Sequence, residues 1–121
     1  MKNIELAAVQ ERFADIVWAN EPISSGDLVK VCENELNWKK ATTYTVLRKL
    51  CDKGLLQNAD GTVTSLVSKE EFYSNKSRQI IEDSYDGSLP AFIAAFTSQK
   101  KLSKKEVDEI QKMINSFRKK G

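Results

Sequence analysis

From Lys39 to Leu50 the chain reads Lys-Lys-Ala-Thr-Thr-Tyr-Thr-Val-Leu-Arg-Lys-Leu, a run that gathers hydroxyls, a phenol and cations. If Thr43, Val46, Leu47 and Leu50 face a core, Thr42, Tyr44, Thr45, Arg48 and Lys49 face out. Thr45 and Lys49 stand four residues apart, as do Tyr44 and Arg48, so each pair shares a helix face. Such a face can enter the major groove of duplex DNA with its N-terminal part toward the base edges. The hydroxyls of Thr42 and Thr45 can donate or accept at bases or phosphates, and the Thr45 methyl can touch a thymine methyl. Arg48 or Lys49 can reach guanine or phosphate. Lys39 and Lys40 would neutralise phosphates near the positive end of the helix. A plainer reading competes: threonines near a helix start often cap it, and lysines often only solubilise.

Charge distribution bears on the choice. The 121 residues carry a net +2, with 40% hydrophobic and 30% charged residues. That balance belongs to a globular protein and not to a disordered chain. Residues 1–37 hold three bases and seven acids, whereas residues 38–54 hold five bases and one acid. A short basic stretch after an acidic one fits a local anion site, although a solvated helix face would look the same.

The elements around this run follow from periodicity and punctuation. Leu6, Val9, Phe13, Ile16 and Val17 recur at helical spacing, so a first helix is expected over 4–20, stopped near Pro22. Ser24, with Asp27 three residues on, can cap a second helix bearing Leu28, Val31, Cys32 and Leu36 on one face. A break at 37–40 precedes a third helix over 41–53, with Gly54 as its C-terminal glycine. Two β-rich runs, 55–59 and 62–67, flank Asp60-Gly61, a dipeptide suited to a tight hairpin. Ser68-Lys69-Glu70-Glu71 opens a fourth helix to Tyr85, Ser88 a fifth and Ser103 with Glu106 a sixth.

Three helices, a hairpin and three more helices make a mainly α chain with a small β-hairpin wing. That is a winged helix-turn-helix followed by a helical region. The expected domains are 1–68 for DNA binding and 69–121 for dimerisation. The last helices are short and apolar on one face, so they need a partner, and an identical copy is the simplest. Leu89, Phe92, Ile93, Phe96, Ile110, Ile114 and Phe117 are expected between the two copies.

Other chemistry finds little support. The chain has no histidine and two cysteines, Cys32 and Cys51. Both cysteines fall on apolar faces, so buried thiols are expected in place of a disulfide, redox or metal site. Trp18 and Trp38 could stack on bases, but packing at the ends of the helical core is the simpler expectation. No nucleophile elbow, glycine-rich phosphate loop or convincing carboxylate pair is found, so neither an enzyme nor a cofactor is expected. Met1–Ala7 lacks a signal-peptide pattern and no run is long enough for a bilayer, so a cytoplasmic protein without direct membrane binding is expected.

Taken together, several segments resemble the penicillinase-repressor family, which includes methicillin-resistance repressors and relatives that control copper transport. They are Leu6–Trp18 ending in Ile-Val-Trp, Trp38 ahead of the third helix, and Thr42–Leu56. Leu66-Val-Ser-Lys-Glu-Glu-Phe72, Asp86-Gly-Ser-Leu89 and Leu102-Ser-Lys-Lys-Glu106 complete the set. The order and spacing of these segments carry the resemblance across nearly the whole chain. It implies a winged-helix DNA-binding domain, a helical dimerisation domain, and a homodimer that represses transcription from a palindromic operator. It places base reading chiefly on Thr42, Tyr44, Thr45 and Lys49.

In antibiotic-responsive members a membrane-bound sensor protease signals and the repressor is cut in its dimerisation region. The similar position here is Ala95-Phe96, where those members have Asn-Phe; the plainer reading makes Phe96 a dimer-core aromatic. Tyr44 replaces an often basic residue, Glu11 a common tryptophan and Ala7 a usual capping Ser or Thr. The wing turn has no Lys or Arg. The copper-responsive relatives carry a C-terminal cysteine cluster and Ser116–Gly121 has none, so copper sensing by that route is not expected. The competing functional reading is a winged-helix protein-interaction module without specific DNA binding.

Overall fold

The computed structural model describes residues 4–120. The chain order is α1 (Ala8–Asn20), β1 (Ile23–Ser24), α2 (Ser25–Leu36), α3 (Lys40–Asp52), β2 (Leu56–Ala59), β3 (Thr62–Ser65), α4 (Lys69–Tyr85), α5 (Leu89–Gln99) and α6 (Lys104–Lys120). It forms two compact units, 1–78 and 79–121, with the division falling inside α4. Mainly helical with a small antiparallel sheet, this is the winged-helix architecture.

Local chemistry accounts for most element ends. Ser24 Oγ accepts the Asp27 N–H at the start of α2, and Ser68 Oγ accepts the Glu71 N–H at the start of α4. Ser88 does the same for Ala91 in α5. These caps satisfy donors that a helix start leaves unpaired. At the end of α3, Gly54 takes φ +85°, and the Leu55 N–H returns to the Leu50 carbonyl at 3.0 Å. That left-handed turn is where glycine is at no steric disadvantage. Asp60 and Gly61, with φ of 50° and 84°, make the tight hairpin turn.

Several elements differ from expectation, among them the first β run, which begins at Leu56 and not at Leu55. The first helix begins at Ala8 and not at Ile4, because Ala7 is extended and Gln10 Oε1 accepts its N–H. Ile4 and Leu6 still pack on the core from outside the helix. The third helix is shifted one residue earlier than expected, with Lys39 as its N-cap. The sheet has three strands in the order β1-β3-β2, with Ile23 opposite Val63 and Ser24 opposite Thr62. Two residues are too few for an alternating pattern to show in sequence. The second β run also stops at Ser65, since the Leu66 and Val67 N–H groups both turn to the Leu55 carbonyl.

One core organises residues 1–78. Phe13, Val17, Leu28, Cys32, Leu50, Leu55 and Val63 have no exposed surface. Trp38 stacks on Phe13 with centroids 5.7 Å apart, and Trp18 packs against Phe72. Both tryptophans are partly buried and pack against the core. The first part of α4 is fastened to α1 by Lys69–Asp15 at 3.3 Å and Lys76–Glu11 at 2.7 Å. The Tyr73 hydroxyl also donates to Glu11. Glu11 thus serves as an anchor for α4 at the position where the resemblance would put a tryptophan.

Candidate nucleic-acid interface

The α3 helix has two unlike faces. Thr43, Leu47 and Leu50 are buried, Val46 is half-buried, and Thr42, Thr45, Arg48 and Lys49 are exposed. Lys39 and Lys40 are exposed at its start. Its first turn contains no acid, and Lys39 offers no side-chain cap. The helix therefore presents unpaired backbone N–H groups, its positive dipole end and two lysines in one place. An anion at that end meets attraction from all three.

The threonine hydroxyls are differently engaged. Thr45 Oγ1 donates to the Ala41 carbonyl at 2.9 Å. Its proton is thus committed to the helix, leaving the methyl and the oxygen lone pairs for a ligand. Thr43, the buried threonine, points its hydroxyl at the Lys39 carbonyl, 3.5 Å away. Thr42 lies exposed one turn before Val46. The competing reading of these threonines as caps does not hold, since Lys39 is the N-cap.

Tyr44 departs from its expected place on the open face. It is half-buried, packs against the core, and its hydroxyl lies 3.2 Å from Ser25 Oγ. The Ser25 N–H in turn donates to the Gly61 carbonyl at 2.8 Å. The cause is tertiary: the start of α2 lies within reach of the side chain, and the phenol donates to Ser25 Oγ there. Nothing in the periodicity of α3 signals this, because the partner lies nineteen residues earlier. Beside it, Tyr44, Leu47, Arg48, Cys51 and Asn58 line a shallow cleft of about 240 Å³ between α3 and the hairpin.

Cys32 is buried and Cys51 half-buried, and both are free. Burial pushes the Cys32 thiol above its ordinary value, reinforced by Glu35 and opposed by the Thr43 hydrogen bond. Burial likewise raises Cys51, with Asp52 adding to the effect and the Asn58 backbone opposing it. Raised thiols are poor nucleophiles and poor metal ligands at neutral pH. Among the described residues, no group of three or more His, Cys, Asp or Glu side chains is placed to hold a metal ion. Nor is any helix among them long and apolar enough to cross a membrane.

In the second unit several apolar side chains of α5 and α6 are exposed. Within α5 no residue is buried, and Leu89, Ile93 and Phe96 are exposed. Phe92 is half-buried, packing edge-on against Tyr85 at 5.5 Å and lying 6.3 Å from Phe96. On α6, Ile110 is half-buried and Ile114 exposed, and Phe117 is 74% exposed. The Ala95–Phe96 peptide lies inside α5, with both side chains exposed.

Comparison with known proteins matches residues 6–116 to the penicillinase repressor family. The chain belongs to that family. It is thereby a regulator of transcription of the repressor type. This repressor-family chain is 22% identical over 118 residues to the methicillin resistance regulatory protein MecI of Staphylococcus aureus, covering 94% of this chain and 96% of that protein. It is 22% identical over 123 residues to the penicillinase repressor of Bacillus licheniformis, covering 98% and 96% of the two chains. The penicillinase repressor of Staphylococcus aureus is similar at 17% identity over 123 residues. The match runs through both compact units, so α3 and the exposed apolar residues of α5 and α6 all fall within the matched span.

Proposed function

We propose that this chain is a homodimeric, sequence-specific DNA-binding repressor that sets one α3 helix into each half of a palindromic operator. The observation that carries the reading is the division of α3. One face is sealed into the core by Leu47 and Leu50, and the other offers Thr42, Thr45, Arg48 and Lys49 to solvent behind the Lys39-Lys40 pair. A rigid seat and a polar, cationic outer face are what major-groove reading requires. Thr42, Thr45 and Lys49 carry the base contacts, Arg48 reaches guanine or phosphate, and Lys39 and Lys40 hold the backbone.

Dimerisation covers the open α5–α6 surface, with Leu89, Phe92, Ile93, Phe96, Ile110, Ile114 and Phe117 between the copies. Joining two modest readers raises their combined affinity by about 10²–10⁴ without a new base contact. Anything that separates the copies releases DNA without touching α3. Phe96 serves as a contact in that surface. Cleavage at Ala95–Phe96 by a sensor protease would require α5 to unwind first, because a helical peptide does not present an extended backbone.

The test is selection of bound duplexes from a random pool by the full chain. Recovery of a twofold-symmetric sequence, with half-sites one helical turn or a multiple apart, is the expected result. No enrichment, or enrichment of sequences without symmetry, removes the proposal and favours a protein-interaction module.

A further inference from the structure

We propose that Tyr44 is a positioning residue of the reading surface: its hydroxyl ties α3 to the first turn of α2 and, through Ser25, to the turn of the hairpin. The inference rests on the DNA reading of α3 proposed above. It departs from the expectation that Tyr44 itself reads a base.

Three contacts form a chain of connection. Tyr44 Oη lies 3.2 Å from Ser25 Oγ. The Ser25 N–H donates to the Gly61 carbonyl at 2.8 Å. Next to that link, Ser24 pairs with Thr62 in the sheet. Gly61 holds φ +84° at the hairpin turn, and a methyl group added there would come to 4.0 Å of Ser25 Oγ. The phenol therefore joins the reading helix to the start of the preceding helix at Ser25, the residue whose backbone holds the wing.

Chemistry separates this role from base reading. A tyrosine bonded to a serine on a neighbouring helix has its polar end engaged within the protein and its ring packed on the core. The phenol carries no charge with which to draw phosphate. The distance between α3 and the start of α2 decides whether base edges and backbone can be met at once. A small error there costs affinity over the whole site. Positioning of this kind lowers affinity uniformly, whereas a lost base contact relaxes preference at one base pair.

The experiment uses the full chain and the duplex recovered by selection. Tyr44→Phe and Ser25→Ala are each expected to weaken binding about 3- to 10-fold, the range of one lost hydrogen bond. The double variant should be no weaker than either single one, because both remove the same link. Preference at each base pair, measured over all single base-pair variants, should be unchanged. Ser25→Thr, which keeps a hydroxyl, should restore affinity. Circular dichroism at the assay temperature separates these effects from loss of fold. Additive losses, relaxed preference at one base pair in Tyr44→Phe, or unchanged affinity in Tyr44→Phe would each overturn the inference while leaving the reading of α3 standing. Failure of the unmodified chain to prefer any duplex would overturn both.

Discussion

The indole Nε1 of Trp18 donates to the carbonyl of Val67 at 3.0 Å, joining the end of α1 to the segment that leads into α4. The ring also packs against Phe72 and Tyr73. Trp18→Phe keeps most of the aromatic contact and removes the donor. The expected outcome is a native fold that is less stable by about 1 kcal/mol. A lower urea midpoint with an unchanged slope would show it. An unchanged midpoint would mean that solvent replaces the bond at no cost.

Thr45 separates methyl from hydroxyl readout. Because its proton is given to Ala41, the proposed contact with a thymine is expected to fall on its methyl. Thr45→Val keeps a methyl and should keep the preference at that base pair. Thr45→Ala should lose about 0.8 kcal/mol of it, roughly fourfold. Competition binding against duplexes with single base-pair changes measures this directly. Equal loss on specific and random duplexes would remove Thr45 from base reading.

Lys40 stands exposed in the first turn of α3. Lys40→Ala should weaken binding to every duplex alike and reduce the slope of log affinity against log salt by about 1, as one phosphate contact is lost. A salt titration by fluorescence anisotropy reads both quantities. Stability should stay within about 0.5 kcal/mol of the parent, as for other exposed positions. A slope identical to that of the parent would place Lys40 away from the backbone.

Phe96→Asp and Ile114→Asp each put a charge into the open apolar surface of the second unit. Each should dissociate the proposed homodimer and lower apparent operator affinity by about 100-fold or more, the gain that linkage provides. Sedimentation velocity and binding titration should change together. A monomer that still holds the operator tightly would contradict the proposed coupling.

Glu106 and Ser103 form a reciprocal capping box at the start of α6. The Ser103 N–H donates to Glu106 Oε1 at 2.9 Å, and the Glu106 N–H donates to Ser103 Oγ at 3.1 Å. Hydrogen bonds from the Ser103 backbone and side chain, with Lys100 contributing, hold the Glu106 carboxyl below its ordinary value. A carboxylate depressed in the folded state adds stability that is complete above its unfolded value. That contribution is lost as pH falls through the folded value. Glu106→Gln, which cannot titrate, should differ most from the parent at neutral pH and converge on it as acid protonates the Glu106 carboxylate. A difference that stays constant across this range would remove the charged form of Glu106 from the cap.

What was legible in the residues alone was mostly local. Helix starts at Ser24, Ser68, Ser88 and Ser103 and the turn at Asp60-Gly61 each depend on groups within three or four positions, so their chemistry stands beside itself in the chain. The inward face of α3 was legible for a related reason: Thr43, Leu47 and Leu50 repeat at the helical period and are buried together. Tertiary structure alone decided the rest. Ile23 and Ser24 become a strand only because Thr62 and Val63 arrive beside them. Glu21 accepts bonds from Ser65, forty-four residues on, and Tyr44 turns from solvent to Ser25. In each case a backbone edge or side chain has a polar group to satisfy, and folding brings its partner from far along the chain, where no spacing rule reaches.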